Sequence, residues 1–150
     1  MIRIISVMHT GTRFVVKCLQ NAGYIQTHAY WGNGDFIQVH FDGKGNAPLI
    51  HDPDKTGTVI IPLRDKEAVK RSWQVRESKL SHLEECWSEM EEWIKEHGHN
   101  DVFLLHVDDP ERREIELAAI SERLGSYLIA DFNEKVGHWD KTLGVPMYGG

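Results

Sequence analysis

The heptapeptide MHTGTRF, residues 8–14, holds residue types that bind anions. The apolar, β-branched run before it predicts a buried strand, and the residues after it have the period of a helix. A strand that leads through a glycine turn into a helix directs backbone N–H groups and the positive helix end to one point. Gly11 would let the backbone turn and approach an anion closely, and Thr10 and Thr12 offer hydroxyl donors. The stretch therefore predicts an anion-binding loop.

Two observations limit this interpretation. The loop of nucleoside triphosphatases needs the pattern G-x-x-x-x-G-K-[ST], and this chain lacks both its first glycine and its Gly-Lys pair. A short glycine turn between a strand and a helix can also be a mere connection. On spacing alone, the sequence does not separate an anion site from a connection.

Apolar strands alternate with amphipathic helices along the rest of the chain. Strands are predicted at residues 2–8, 36–41, 48–51, 58–63, 102–107 and 127–130, and helices at 13–22, from 66 onward, at 81–96 and within the stretch DDPERREIELAAISERLG, residues 108–125. Gly23 and Gly125 are the predicted stops of the first and last helices. Strands that alternate with helices indicate an α/β fold with a central, mostly parallel sheet and helices on both faces.

Composition limits the class of protein. A chain of 150 residues with 41% hydrophobic and 27% charged residues predicts one globular domain, residues 1–150. The net charge of -6 and the pI near 5.8 argue against a nucleic-acid partner. Cys18 and Cys86 lack metal or redox spacing, and no window predicts a signal peptide or membrane span. We expect a cytoplasmic protein without a membrane partner, and a homo-oligomer stays open.

Four segments together resemble the sulfotransferase family. HTGTRFV resembles its 5′-phosphosulfate loop, and VIIPLRDKEAVKRSW resembles its second signature, a buried strand that ends in arginine before a helix with a serine. Arg64 and Ser72 stand at the family's spacing of eight positions. FLLHVDDPERREIELAAISERLG and EKVGHWDK resemble the late strand-turn-helix and the C-terminal segment. The four segments cover most of the chain in the family's order.

The resemblance implies a three-layer, P-loop-like fold and a sulfotransferase activity. Such an enzyme transfers a sulfuryl group from 3′-phosphoadenosine 5′-phosphosulfate to a hydroxyl or amine acceptor without a metal, and it releases adenosine 3′,5′-bisphosphate. Two rival functions stay open, namely a non-catalytic module that binds a 3′,5′-bisphosphonucleotide and a small P-loop nucleotide kinase. The acceptor is not identified by the sequence.

The resemblance also implies a donor site. The backbone of Thr10, Gly11, Thr12 and Arg13, with the Thr12 hydroxyl, would hold the 5′-phosphosulfate. Arg64 and Ser72 would hold the 3′-phosphate, Phe14 would stack on adenine, and Lys135, Gly137 or Lys141 would close over the nucleotide. The plainer alternatives are a surface pair between Arg64 and Asp65, a core position for Phe14, and a tail that Trp139 pins to the core.

His9 marks a departure from the family pattern, because lysine or arginine usually stands there. An imidazolium at this place would stabilise the leaving phosphate, and an adjacent anion would favour its charged form. Arg13 or Lys17 are alternative cations. The remaining interpretation is a loop histidine that is hydrogen-bonded to backbone.

The general base has several candidates. In the family a histidine commonly follows the strand before the arginine strand, and PLIHDP puts His51 there. His40 competes, because it also lies at or near a strand end. Asp42 and Asp52 are the acidic alternatives. We therefore expect His9, Arg13 and His51 to be the catalytic residues, with His40 as the competitor of His51.

Overall fold

The computed structural model describes residues 1–28, 33–45, 57–76, 79–98 and 101–129. Its helices and strands follow in the order β1 (Ile2–Ser6), α1 (Thr12–Asn21), β2 (Gln26–Thr27), β3 (Phe36–His40), β4 (Val59–Leu63), α2 (Lys66–Arg76), α3 (Leu80–His97), β5 (Val102–His106) and α4 (Pro110–Leu124).

The strands form one five-stranded sheet in the order β2-β3-β1-β4-β5, and every pairing is parallel. β1 is therefore central. The chain builds one side of the sheet with β2 and β3 and then crosses to the other side for β4 and β5. Because parallel strands end at one edge, the segments after β3, β1 and β4 meet there. Ligands of open α/β sheets bind at such an edge, where the strand order reverses.

Helices pack against both faces of the sheet. On one face, Trp73 of α2 and Met90 of α3 belong to a core cluster with Ile5. On the other face, Phe14 of α1 and residues of α4 form a second cluster with Ile4. Ile4 and Ile5 are neighbours that point to opposite faces, as the period of a strand requires. The predicted α/β class and central parallel sheet are confirmed.

The structure differs from the expectation at the two weakest strands. The short edge strand β2 was not predicted, because Gln26 and Thr27 form no apolar run. The strand predicted at 127–130 is wrong for residues 127–129, where the Leu128 N–H instead donates to Ser121 Oγ of α4. Ala130 and the strand predicted at 48–51 lie outside the described residues.

The described residues contain neither a membrane-spanning helix nor a metal-binding cluster. No helix in those ranges is long and apolar enough to cross a membrane. No group of three or more His, Cys, Asp and Glu side chains in the same ranges is arranged to hold a metal ion.

Candidate functional site

The predicted anion loop connects β1 to α1 and has two residues in the left-handed region. His9 has a φ of 70° and Gly11 a φ of 97°. A Cβ at Gly11 would lie 2.6 Å from Cγ2 of Val107, which follows β5. Glycine is therefore required twice, by its backbone conformation and by its packing on Val107. The sequence predicted that Gly11 approaches an anion, and this stays a prediction beside the observed packing on Val107.

The two threonines of the loop direct their hydroxyls inward. Thr10 is fully buried, and its Oγ1 donates to the carbonyl of Val7 at 2.6 Å. Thr12 Oγ1 donates to Ser6 Oγ at 2.7 Å. The Thr10 hydroxyl proton is committed to the loop itself, so Thr10 can serve an anion only through its backbone N–H.

The N-terminus of α1 differs from those of the other helices that follow strands. Asp65 and Asp109 accept hydrogen bonds from amides in the first turns of α2 and α4, and each of those turns also contains a glutamate. α1 begins after Gly11, has no side-chain cap and no acid in its first turn, and carries Arg13 there. A cation at this end opposes the helix dipole, so the sequence adds positive charge where the dipole is already positive. Such an arrangement favours a bound anion.

Arg64 comes directly after β4, the strand beside β1, and is 6% exposed. The neighbouring Asp65 uses its carboxylate to cap α2, and its N–H donates to Asp108 Oδ2 at 2.8 Å. Arg64 is therefore buried and not at the surface, and its role in binding stays a prediction. Its burial places a cation within the carboxyl edge of the sheet.

Ser72 lies on α2 and is 1% exposed. Its Oγ has no hydrogen-bond partner among the described residues. The next residue, Trp73, donates from Nε1 to the carbonyl of Met8 at 3.0 Å, and its ring centroid is 6.0 Å from that of His9. This contact ties the part of α2 around Ser72 to the beginning of the anion loop.

His40 ends β3 and is the register partner of Ser6 in β1. Its Nδ1 is hydrogen-bonded to Ser6 Oγ at 3.1 Å, and its Nε2 lies 3.2 Å from Nε2 of Gln38. Burial lowers the pKa of His40 below its ordinary value of 6.5, a hydrogen bond with the Ser6 backbone opposes this shift, and the charge of His9 adds to it. The ring is therefore neutral at pH 7, and both of its nitrogens are engaged.

Acidification should destabilise the protein through His40. The folded pKa lies below the unfolded value, so the unfolded state binds more protons as the pH falls through about 6.5. The stabilisation by neutral His40 is fully present above the pKa of the unfolded state, and it is lost as the pH falls toward the lower pKa of the folded state. Urea unfolding between about pH 7.5 and about pH 5 should show a smaller loss in His40→Asn than in the wild type. An unchanged dependence in His40→Asn would contradict the assignment.

Phe14 and Arg113 lie beneath the loop. Phe14 is 1% exposed within the second core cluster, which is the core position that was its alternative interpretation. The guanidinium of Arg113 lies 5.9 Å from the Phe14 ring centroid, and its Nη1 donates to the Val107 carbonyl at 2.8 Å. Arg113 thus holds the residue on which Gly11 packs.

The other predicted residues divide into two groups. Arg13 is exposed and Lys17 is half-buried, both on α1, and the half-buried His9 lies in the loop before it. His51, Asp52, Lys135, Gly137, Trp139 and Lys141 lie outside the described residues. The structure thus brings the loop and His40 together, and Arg64 lies at the same carboxyl edge of the sheet.

Four residues of the site were not predicted from the sequence: Ser6, Trp73, Val107 and Arg113. Ser6 had a signal, since it is a small polar residue near the carboxyl end of the strand predicted at 2–8. The others were assigned to core or helix positions, where tryptophan, valine and arginine are ordinary. Only their long-range contacts reveal that they support the loop.

The chain was compared with known proteins at three levels. It matches no family model, no curated protein and no solved structure. The sulfotransferase resemblance therefore stays a prediction that depends on the quoted motifs.

Proposed function

We propose that this chain is a sulfotransferase-like domain with a three-layer, P-loop-like fold. It binds 3′-phosphoadenosine 5′-phosphosulfate at the carboxyl edge of the sheet and transfers the sulfuryl group to a hydroxyl or amine acceptor. The observation that carries this proposal is the uncapped, acid-free N-terminus of α1 at the end of the central strand, with buried Arg64 at the end of the adjacent strand.

The residues present fit a doubly phosphorylated nucleotide. The N-terminus of α1 suits one anionic group, and Arg64 with Ser72 suits a second. The Ser72 hydroxyl is a buried donor without a partner among the described residues, and such groups require an explanation. A phosphate oxygen would satisfy it. When bound, 3′-phosphoadenosine 5′-phosphosulfate supplies the sulfuryl group that is transferred.

The protein's own part is to position the reactants and to stabilise negative charge. The guanidinium of Arg64 matches two phosphate oxygens at once, which orients the nucleotide. The N–H groups at the start of α1 hold the opposite end and stabilise charge that develops there. His9 and Arg13 are the cations of the loop in this proposal. His51 is the base, because both ring nitrogens of His40 are already hydrogen-bonded.

One observation favours a second candidate, a module that binds the nucleotide without turnover. His9 occupies the place where the family pattern usually has lysine or arginine, and its ring packs edge-on against Trp73. An imidazole held in this way is a weaker and pH-dependent source of positive charge. Binding of the nucleotide would then be normal, and sulfuryl transfer would be absent.

Calorimetry with adenosine 3′,5′-bisphosphate in the absence of magnesium tests the nucleotide site. We expect binding that does not require a metal, and assays with radiolabelled donor and a panel of hydroxyl and amine acceptors then separate the enzyme from the module. Binding of adenosine triphosphate only with magnesium would instead support the kinase. Absence of binding for both nucleotides would overturn the proposal.

Ser72→Ala should separate binding from stability. Removal of a buried hydroxyl that has no partner among the described residues removes a desolvation cost, so the free energy of unfolding should stay equal or rise by about 1 kcal/mol. Affinity for adenosine 3′,5′-bisphosphate should fall by about tenfold, because a charge-assisted hydrogen bond is lost. Adenosine 5′-phosphate, which lacks the 3′-phosphate, should show no such fall.

Ser121 provides the matched control for Ser72. It is also a buried serine on a helix, but its Oγ donates to the Leu117 carbonyl at 2.7 Å and accepts from the Leu128 N–H at 3.0 Å. Ser121→Ala should lower stability by about 1–3 kcal/mol and leave affinity unchanged. Equal losses of stability in both variants would contradict the role of Ser72.

A further inference from the structure

Four side chains form a hydrogen-bonded row from the N-terminus of α1 to the middle of β3. Thr12 Oγ1 is 2.7 Å from Ser6 Oγ, which is 3.1 Å from His40 Nδ1, and His40 Nε2 is 3.2 Å from Gln38 Nε2. Ser6 is fully buried and Thr12 is 7% exposed. Ser6 and His40 face each other because they are register partners in adjacent parallel strands, and Gln38 shares the face of His40 by the strand period.

At the other end of the row, Gln38 determines which ring nitrogen of His40 carries the proton. The side-chain amide of Gln38 is assigned with its nitrogen toward His40, and in this orientation His40 Nε2 accepts from it. A neutral imidazole carries its single proton on the other nitrogen, which places it on Nδ1, facing Ser6. The lowered pKa of His40 agrees with a neutral ring. His40 is therefore a donor to Ser6 Oγ.

At the Thr12 end of the row, a bound anion would reverse the direction of the hydrogen bond between Thr12 and Ser6. In the structure Thr12 donates to Ser6, so the Thr12 lone pairs point away from Ser6. An anion at the start of α1 accepts hydrogen bonds only, so Thr12 must turn its proton outward to bind it. Thr12 then needs a donor behind it, and the Ser6 hydroxyl supplies one because His40 donates to Ser6.

We propose that Ser6 and His40 are positioning residues that turn the Thr12 hydroxyl into a donor for the bound anion. In the bound state each hydrogen bond of the row runs one way, from Gln38 to His40, Ser6, Thr12 and the anion. The change needs only rotation of two hydroxyls, and no O–H or N–H bond breaks. This inference rests on the proposed function in one respect, since it requires an anion at this loop.

The test is a double-mutant cycle on affinity for adenosine 3′,5′-bisphosphate, repeated with inorganic sulfate. Ser6→Ala, His40→Leu and Thr12→Val should each weaken binding by about three- to tenfold, the range expected for one hydrogen bond. Ser6→Ala combined with Thr12→Val should bind no more weakly than Thr12→Val alone, because both substitutions act through the same hydroxyl. Urea unfolding of each variant verifies that it is folded under the assay conditions.

A rescue variant and a spectroscopic signature exclude a merely structural role. The amide nitrogen of Asn lies near the place of Nδ1, so His40→Asn should recover most of the affinity that His40→Leu loses. Nitrogen-15 NMR of the wild type at neutral pH should show the His40 proton on Nδ1, with and without the anion. A proton on Nε2, additive effects of Ser6→Ala and Thr12→Val, or equal losses in both His40 variants would overturn this inference alone. If neither anion binds the wild type, the inference falls together with the anion site.

Discussion

Replacement of Arg64 by alanine is expected to weaken the binding of adenosine 3′,5′-bisphosphate by about 10- to 100-fold. Arg64 is a buried cation at the carboxyl edge of the sheet, one strand away from the anion loop. A hydrogen bond to a charged group contributes roughly 1.5–3 kcal/mol, and each 1.4 kcal/mol corresponds to about tenfold in affinity. Arg64→Lys keeps the charge but loses the second bond of the fork, so we expect an intermediate loss of about tenfold.

Two controls make this result specific. Adenosine 5′-phosphate lacks the 3′-phosphate, so its affinity should be nearly the same for wild type and Arg64→Lys. Arg3 is a second buried arginine, 3% exposed, but it lies near the amino end of β1, at the opposite edge of the sheet. Arg3→Lys should leave both affinities unchanged. If the two arginine variants weaken binding equally, general destabilisation and not a phosphate contact explains the loss.

The scaffold of this fold was predictable because its signals are local. The apolar runs of β1, β4 and β5 identify buried strands without reference to the rest of the chain. Gly23 and Gly125 have φ values of 96° and 71°, so the two predicted helix stops are residues that adopt the left-handed conformation. Alternation of these elements implied the parallel sheet. The two-residue β2 carried no such signal.

The site was predictable only in part, because its contacts are long-range. The loop was identified from the glycine, the threonines and the neighbouring elements. The pairing of Ser6 with His40 spans 34 residues of sequence and exists only because β3 lies beside β1 in the sheet order. The same holds for Val107 beneath Gly11. Strand order is decided by packing between distant segments, and no local pattern encodes it.

A second large effect is expected for Gly11→Ala, which should lower the free energy of unfolding by about 2–5 kcal/mol. A side chain at a φ of 97° costs about 1–2 kcal/mol. The added Cβ would also lie 2.6 Å from Val107 Cγ2, and overpacking of a filled core costs about 1–3 kcal/mol more. The total is a large part of a stability of about 5–15 kcal/mol. Urea unfolding monitored by circular dichroism measures the loss.

Gly23→Ala separates the two contributions, because Gly23 has nearly the same φ, 96°, but among the described residues only its own chain neighbours come within 4 Å of an added Cβ. Gly23→Ala should show the backbone cost alone, and the excess loss of stability in Gly11→Ala then measures the contact with Val107.

Val107→Ala removes the γ-carbons that clash, so Gly11→Ala should cost less in that background than in the wild type. Equal losses for Gly11→Ala and Gly23→Ala would mean that the loop can lift off Val107. In that case the position of the N–H groups at the start of α1 would not be fixed by the core beneath them, and the preorganisation on which anion binding depends would have to come from the ligand itself.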